Sequence, residues 1–252
     1  MRLARFLVAL AATAVPCAPA LAQQSHDNIA LVYSVKAKLT DIGKLDAAMK
    51  KHFAWHRANK DVFTWFVWQV ASGDDIGDFL VGTFGHQWKE FDDHAAFDEK
   101  DDADFFPNVL PLVEKSTLGY WTMLADVSYP GKGTEPAAMA QITHYYLKPD
   151  GYVQFLDALH EMHAALGKAS PAMGIQWYRL ISGGEGPQLV LAVDRDNWAS
   201  MAMPGRSFDD MLVDAVGAQK AVSILTAIRQ STRYTRSYML RYRPDISYIA
   251  PK

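Results

Sequence analysis

Hydrophobic and polar positions along this chain follow two rhythms, and the same succession of rhythms occurs twice. Each half opens with a strand-like run rich in Val, Ile, Tyr and Thr, over 29–39 and 140–147. Each run leads into a helix behind a capping residue, Thr40 in the first half and Asp150 in the second. The inward stripe of the first helix is Ile42, Leu45, Met49, Phe53 and His56; that of its counterpart is Tyr152, Phe155, Leu159, His163 and Leu166. A second strand follows over 62–71 and 173–181, then a turn at Ser72-Gly73 or Ser182-Gly183, then a third strand over 78–84 and 188–193. Two strands joined so closely predict an antiparallel hairpin. Trp88 and Trp198 lead into a second helical region. Phe208, Met211, Leu212, Ala215, Val222, Leu225 and Ile228 predict one long amphipathic helix in the second half, whereas Pro107 and Pro111 predict shorter pieces in the first. Aromatic strands over 117–127 and 232–243 close the two halves. Along 62–71 the apolar residues alternate as Trp65/Val67 on one face and Phe66/Trp68 on the other, which predicts a strand covered on both sides.

The order in each half is βαββαβ, the split βαβ unit. Sliding the chain by 110 residues lays 31–88 over 141–198 without a gap, with six identities that include Ser72/Ser182, Gly73/Gly183 and Trp88/Trp198. The expected class is α+β: two tandem ferredoxin-like units, 23–130 and 138–252, joined by a linker over 131–137, with their antiparallel sheets facing each other as a pseudo-dimeric barrel. This layout resembles the dimeric α+β barrel superfamily over about residues 29–245, through element order and periodicity. That group includes small monooxygenases, haem-binding and haem-degrading proteins, and stress-responsive barrel proteins. The resemblance implies a pocket between helices and sheet, and it carries no signature motif from which a catalytic residue could be transferred.

The first residues change where such a fold would work. Arg2 and Arg5 precede an apolar run over 6–15, and Ala20-Leu21-Ala22 supplies a small-x-small cleavage pattern, so a signal peptide over 1–22 and a periplasmic or secreted product are expected. The net charge of -3 becomes -5 once those two arginines leave, and an acidic surface argues against a nucleic-acid partner. The single cysteine, Cys17, leaves with the same segment, which excludes disulfides, thiol catalysis and thiolate metal sites from the remainder. No later stretch has the length and apolarity of a membrane span.

Candidate chemistry centres on a difference between the two first helices. His52 and His56 lie one turn apart on the inward side of the first, where the second carries Met162 and Leu166. A buried imidazole needs a hydrogen-bond partner, a ligand or a pocket. With Trp65, Trp68 and Trp121 nearby in the pattern, and His163 on the second helix, these residues are the candidate ligand-binding set. A zinc site at His52 and His56 would need a third ligand. His86 and His94 are candidates for it, but the spacing assigns no metal. The acidic run over 92–104 lacks the glycine and spaced glutamate of a calcium loop and is expected to be a solvated face, as are the arginines of a last strand read as a sheet edge. Three readings follow. The first is an exported barrel holding a small apolar or aromatic ligand, haem among the candidates, in a helix–sheet pocket of the first unit. The second is an oxygenase-like enzyme with His56 as base or iron ligand. The third is an interaction protein without a pocket.

Overall fold

The computed structural model describes residues 27–129, 131, 135–167, 173–202 and 207–251. The expected signal peptide lies outside the described residues. The first unit comprises β1 (Ile29–Ala37), α1 (Ile42–Asn59), β2 (Phe66–Val70), β3 (Phe79–His86), α2 (Trp88–Asn108) and β4 (Val113–Met123). The second comprises β5 (Met139–Leu147), α3 (Gly151–Leu166), β6 (Ile175–Ser182), β7 (Gln188–Arg195), α4 (Phe208–Val216), α5 (Ala218–Ser231) and β8 (Thr232–Tyr242).

All eight strands pair antiparallel into one closed barrel in the order β1-β3-β2-β8-β5-β7-β6-β4. Each unit contributes four adjacent strands, β4-β1-β3-β2 and β8-β5-β7-β6, which is the ferredoxin-like order written twice. The barrel closes at two equivalent joints. At one, β2 pairs with β8 through Trp68, Gln69 and Val70. At the other, β6 pairs with β4 through Tyr178 to Ser182. The repeated Ser-Gly turns sit at these joints. Gly73 (φ +96°) lies against Tyr238 of β8, and Gly183 (φ +94°) lies against Leu118 and Gly119 of β4. Ser72 Oγ accepts a 3.0 Å hydrogen bond from the Met239 amide.

Period-2 alternation sorts the side chains into layers. Trp65 and Val67 join Leu45, Met49, Phe53 and Phe79 in the core beneath α1 and α2. Phe66 and Trp68 point into the barrel. Leu147, Phe155, Leu159 and Trp177 form the matching core beneath α3. The chain beyond β8 returns to the first unit. Tyr248 pairs with Trp65, and both Ile246 and Tyr248 are buried in the first core.

Four expectations change. α2 runs unbroken for 21 residues, because Pro107 falls in its last turn. There, a missing amide and a ring clash cost little helix. The helix expected to be continuous in the second unit is broken instead at Gly217, whose positive φ separates α4 from α5. The last strand is no edge, since β8 is paired on both sides. Its end is tied down by Arg243, which donates to Asp46 (2.6 Å) and Asp245 (2.8 Å). Neither Asp41, which precedes α1 in place of the expected Thr40, nor Asp150 makes a side-chain cap bond. Among the described residues no helix is long and apolar enough to cross a membrane.

Candidate functional site

All the expected site residues except His163 fall into two places on opposite faces of the first sheet. The first place is the barrel interior. Every strand sends a side chain inward around a cavity of about 310 Å³. Phe66, Trp68, Phe84, Trp121, Tyr178 and Tyr238 supply most of the aromatic wall. Leu80, Ile142, Val190 and Leu240 fill between them, and Gly131 with residues 135–137 of the linker borders one side. An eight-stranded barrel is just wide enough to be filled by its own side chains or to hold one small ligand.

His144 of β5 is the imidazole on this wall. Gln188 Nε2 donates to its Nδ1, so its Nε2–H donates to the Tyr238 hydroxyl at 2.9 Å. Burial, with Arg236 nearby, lowers its pKa from 6.5 to about 4, so it stands neutral at physiological pH. Burial likewise pushes the Tyr178 and Tyr238 hydroxyls far above their usual range. The wall is therefore uncharged at its aromatic end, with Asp194 and Glu135 bordering the cavity elsewhere. Unfolded, the His144 imidazole gains its proton near pH 6.5; folded, near pH 4. Between those values the unfolded chain binds more protons, so acid favours unfolding there. Stability is expected to fall by on the order of 2–3 kcal/mol between pH 7 and 4 through this one group. In H144Q that increment disappears, as read by denaturant melts at the two pH values.

The second place lies between α1 and α2. His52 (5 % exposed) and His56 (2 % exposed) project from α1 one turn apart. Their inner nitrogens are each bound by a carboxylate: His52 Nδ1 to Asp104 Oδ2 at 2.9 Å, His56 Nδ1 to Asp61 Oδ2 at 2.7 Å. Asp61 is a hub. Besides His56 it accepts from Trp65 Nε1 (2.8 Å), the Phe63 amide (2.8 Å) and His94 Nε2 (2.8 Å). Its burial would raise its pKa, but these four partners outweigh that and hold it well below the usual carboxylate range. Burial lowers the pKa of His52. Burial would lower His56 too, but the Asp101 and Asp61 carboxylates raise it to about 8. The outer nitrogens of His52 and His56 face each other at 3.2 Å, and each lies 3.2 Å from Asp101 Oδ1 on α2. Neither approach to Asp101 is directed as a hydrogen bond, and that buried oxygen has no hydrogen-bond partner.

The structure separates the expected site residues from one another. His52, His56 and Trp65 belong to one network: Asp61 binds His56 and Trp65, and His52 joins through His56 and Asp104. Trp68 and Trp121 belong to the barrel cavity on the other side of the sheet. His163 lines neither place; its ring stacks on Tyr129 at 4.4 Å in the second unit. The space expected to be a helix–sheet pocket in the first unit is occupied around His56 by Phe53, Trp65, Phe97 and Tyr248. The His56 imidazole is thus enclosed by side chains rather than facing an open pocket. The third-ligand candidates are committed elsewhere: His86 binds Thr83 and Glu90, and His94 binds Asp61 and Asp98. The acidic run is not merely solvated, since Asp98, Asp101 and Asp104 turn toward these imidazoles. Their spacing of three residues, one helical face, was the signal for this. His144 was also missed; its signal is a single imidazole on an apolar strand, where the first unit has Ser34.

No known family model matches the chain, and no curated protein matches it in sequence. Solved structures match in fold. A monooxygenase-like protein of Fusobacterium nucleatum superposes with a TM-score of 0.59 at 11% identity, covering 86% of this chain and 93% of its own. An anthrone oxidase-like protein gives 0.58 at 14% identity, covering 90% and 95%. The chlorite dismutase of Candidatus Nitrospira defluvii, in complex with imidazole, gives 0.52 at 6% identity, covering 88% and 93%. At these identities the likeness is one of fold, and it spans both units of the chain.

Proposed function

We propose that this chain, which has the fold of the dimeric α+β barrels, is an exported binding protein that holds one small, uncharged aromatic molecule inside the barrel. The carrying observation is the cavity of about 310 Å³, walled by rings from both units and carrying one neutral imidazole–phenol pair. Ligand sites are typically concave and largely apolar, with a few polar groups that set orientation. His144 and Tyr238 supply that orientation here. A pocketless interaction protein is disfavoured by the same cavity. Export rests on Arg2, Arg5 and the Ala20-Leu21-Ala22 pattern.

The wall offers haem iron no free imidazole, because both nitrogens of His144 are engaged, one by Gln188 and one by Tyr238. The expected occupant is therefore a flat neutral ring system without a metal.

The test uses 1-naphthol as probe and tryptophan fluorescence as readout, since Trp68 and Trp121 are in the wall. One saturable site per chain is expected. Ala192 lies on the wall between Ile142 and Gln176. Ala192→Phe fills the space and is expected to abolish quenching while leaving the circular dichroism unchanged. Absence of saturation in the unaltered chain, or full binding by A192F, would remove the proposal.

A further inference from the structure

On the opposite face of the first sheet, three atoms form a small, nearly regular triangle. His52 Nε2, His56 Nε2 and Asp101 Oδ1 lie 3.2 Å apart in every pairing. In the neutral state that ligation requires, each imidazole keeps its proton on the carboxylate-bound Nδ1, and all three corners present lone pairs to one another. Such an arrangement is repulsive unless something positive sits among them. Asp101 Oδ1 sharpens the point, being buried, turned inward and without a hydrogen-bond partner.

We propose that His52, His56 and Asp101 bind one divalent first-row transition-metal ion. Zinc–nitrogen and zinc–carboxylate bonds of about 2.1 Å place three corners of a tetrahedron about 3.4 Å apart, close to the separation found here. Two imidazoles and one carboxylate on one face are also a donor set that first-row ions such as zinc and ferrous iron accept, with coordination positions left over. The surroundings match what metal-bound histidines require. Asp104 holds Nδ1 of His52 and Asp61 holds Nδ1 of His56, which orients both rings and turns Nε2 toward the centre. Asp61 is itself fixed by His94, Trp65 and the Phe63 amide. Among the described residues the second unit has no such group. Met162 and Leu166 stand at the corresponding places and pack into an apolar cluster. The predicted stoichiometry is therefore one ion per chain despite the duplication.

The experiment uses untagged full-length chain, stripped with a chelator and titrated with Zn²⁺ by calorimetry and by thermal melting. One ion per chain and a Tm raised by several degrees are expected. Asp101→Asn removes one corner at a position that makes no directed hydrogen bond, so the fold is expected to persist while affinity falls at least about a hundredfold. Asp104→Asn leaves all three corners in place but frees one ring, and is expected to weaken binding about ten- to a hundredfold. His160 forms an exposed pair with Asp126 at 2.7 Å, so His160→Ala measures adventitious surface binding and is expected to change nothing. No stoichiometric binding by the unaltered chain would overturn the proposal, with a shared proton then serving as the only cation of the triangle. So would unaltered affinity in both D101N and D104N. Should D101N fail to fold, the D104N titration decides alone. Because 1-naphthol binding is read on the other face of the sheet, failure here leaves the cavity proposal standing, and failure there leaves this one.

Discussion

Asp61→Ala is expected to lower the Tm by about ten degrees or more. The Asp61 side chain is fully buried and its two oxygens receive four hydrogen bonds. Those bonds come from the end of α1, the approach to β2 and the middle of α2. Its backbone carbonyl accepts a fifth, from the Tyr248 hydroxyl at 2.7 Å, which ties in the C-terminal segment. Alanine would leave two imidazoles and an indole N–H buried without their acceptor. Removing one member of a buried charged network costs about 3–5 kcal/mol. In a chain of this size each kcal/mol is worth roughly 2–4 °C of Tm. Differential scanning calorimetry reads the result. A shift of only a degree or two would mean that water enters and replaces the carboxylate, and the hub would then be a peripheral feature.

Gly183→Ala is expected to be nearly as damaging, and more damaging than Gly73→Ala. Both glycines occupy the left-handed region, where a Cβ alone costs about 1–2 kcal/mol. They differ in what that Cβ would meet. At Gly73 the nearest atom is the Tyr238 Cβ at 3.2 Å, and the neighbour can shift slightly. At Gly183 the added carbon would collide with the Leu118 carbonyl oxygen and approach the Gly119 Cα at 2.9 Å. Both are backbone atoms of β4, locked in the barrel by pairing with β1. The only relief is to open the β4–β6 joint. Chemical denaturation should show a midpoint loss for G183A clearly larger than for G73A. Equal losses would mean that backbone conformation, rather than closure of the barrel, accounts for both.

These two positions also show how far the pattern of residues could be followed without coordinates. Ser72/Ser182 and Gly73/Gly183 stood out as repeated identities and predicted hairpin turns. Nothing local in them indicated that each turn would abut the last strand of the other unit, because that partner lies far away in the chain. The His52/His56 pair was visible by comparison with Met162 and Leu166, since a duplicated chain supplies its own control. Their carboxylate partners were not, because Asp101 and Asp104 come from a helix some 50 residues later and read in isolation as ordinary solvated acids. Pro107 and Gly217 misled in opposite directions for one reason: whether a residue breaks a helix depends on where in the helix it falls, and helix ends are set by packing.

By itself the sequence determined the α+β class, the doubled βαββαβ order and the presence of a strand covered on both faces, because those follow from periods of 2 and 3.6 that short-range geometry imposes. Tertiary structure alone decided which face of each strand meets helices and which meets the barrel interior. That choice parted Trp68 and Trp121 from His56, brought His144 to the cavity, and carried Asp61 and Asp101 to the imidazoles. Alternation along a strand distinguishes two sides without saying what will cover either one; only closing eight strands into a ring, with helices outside, settles it.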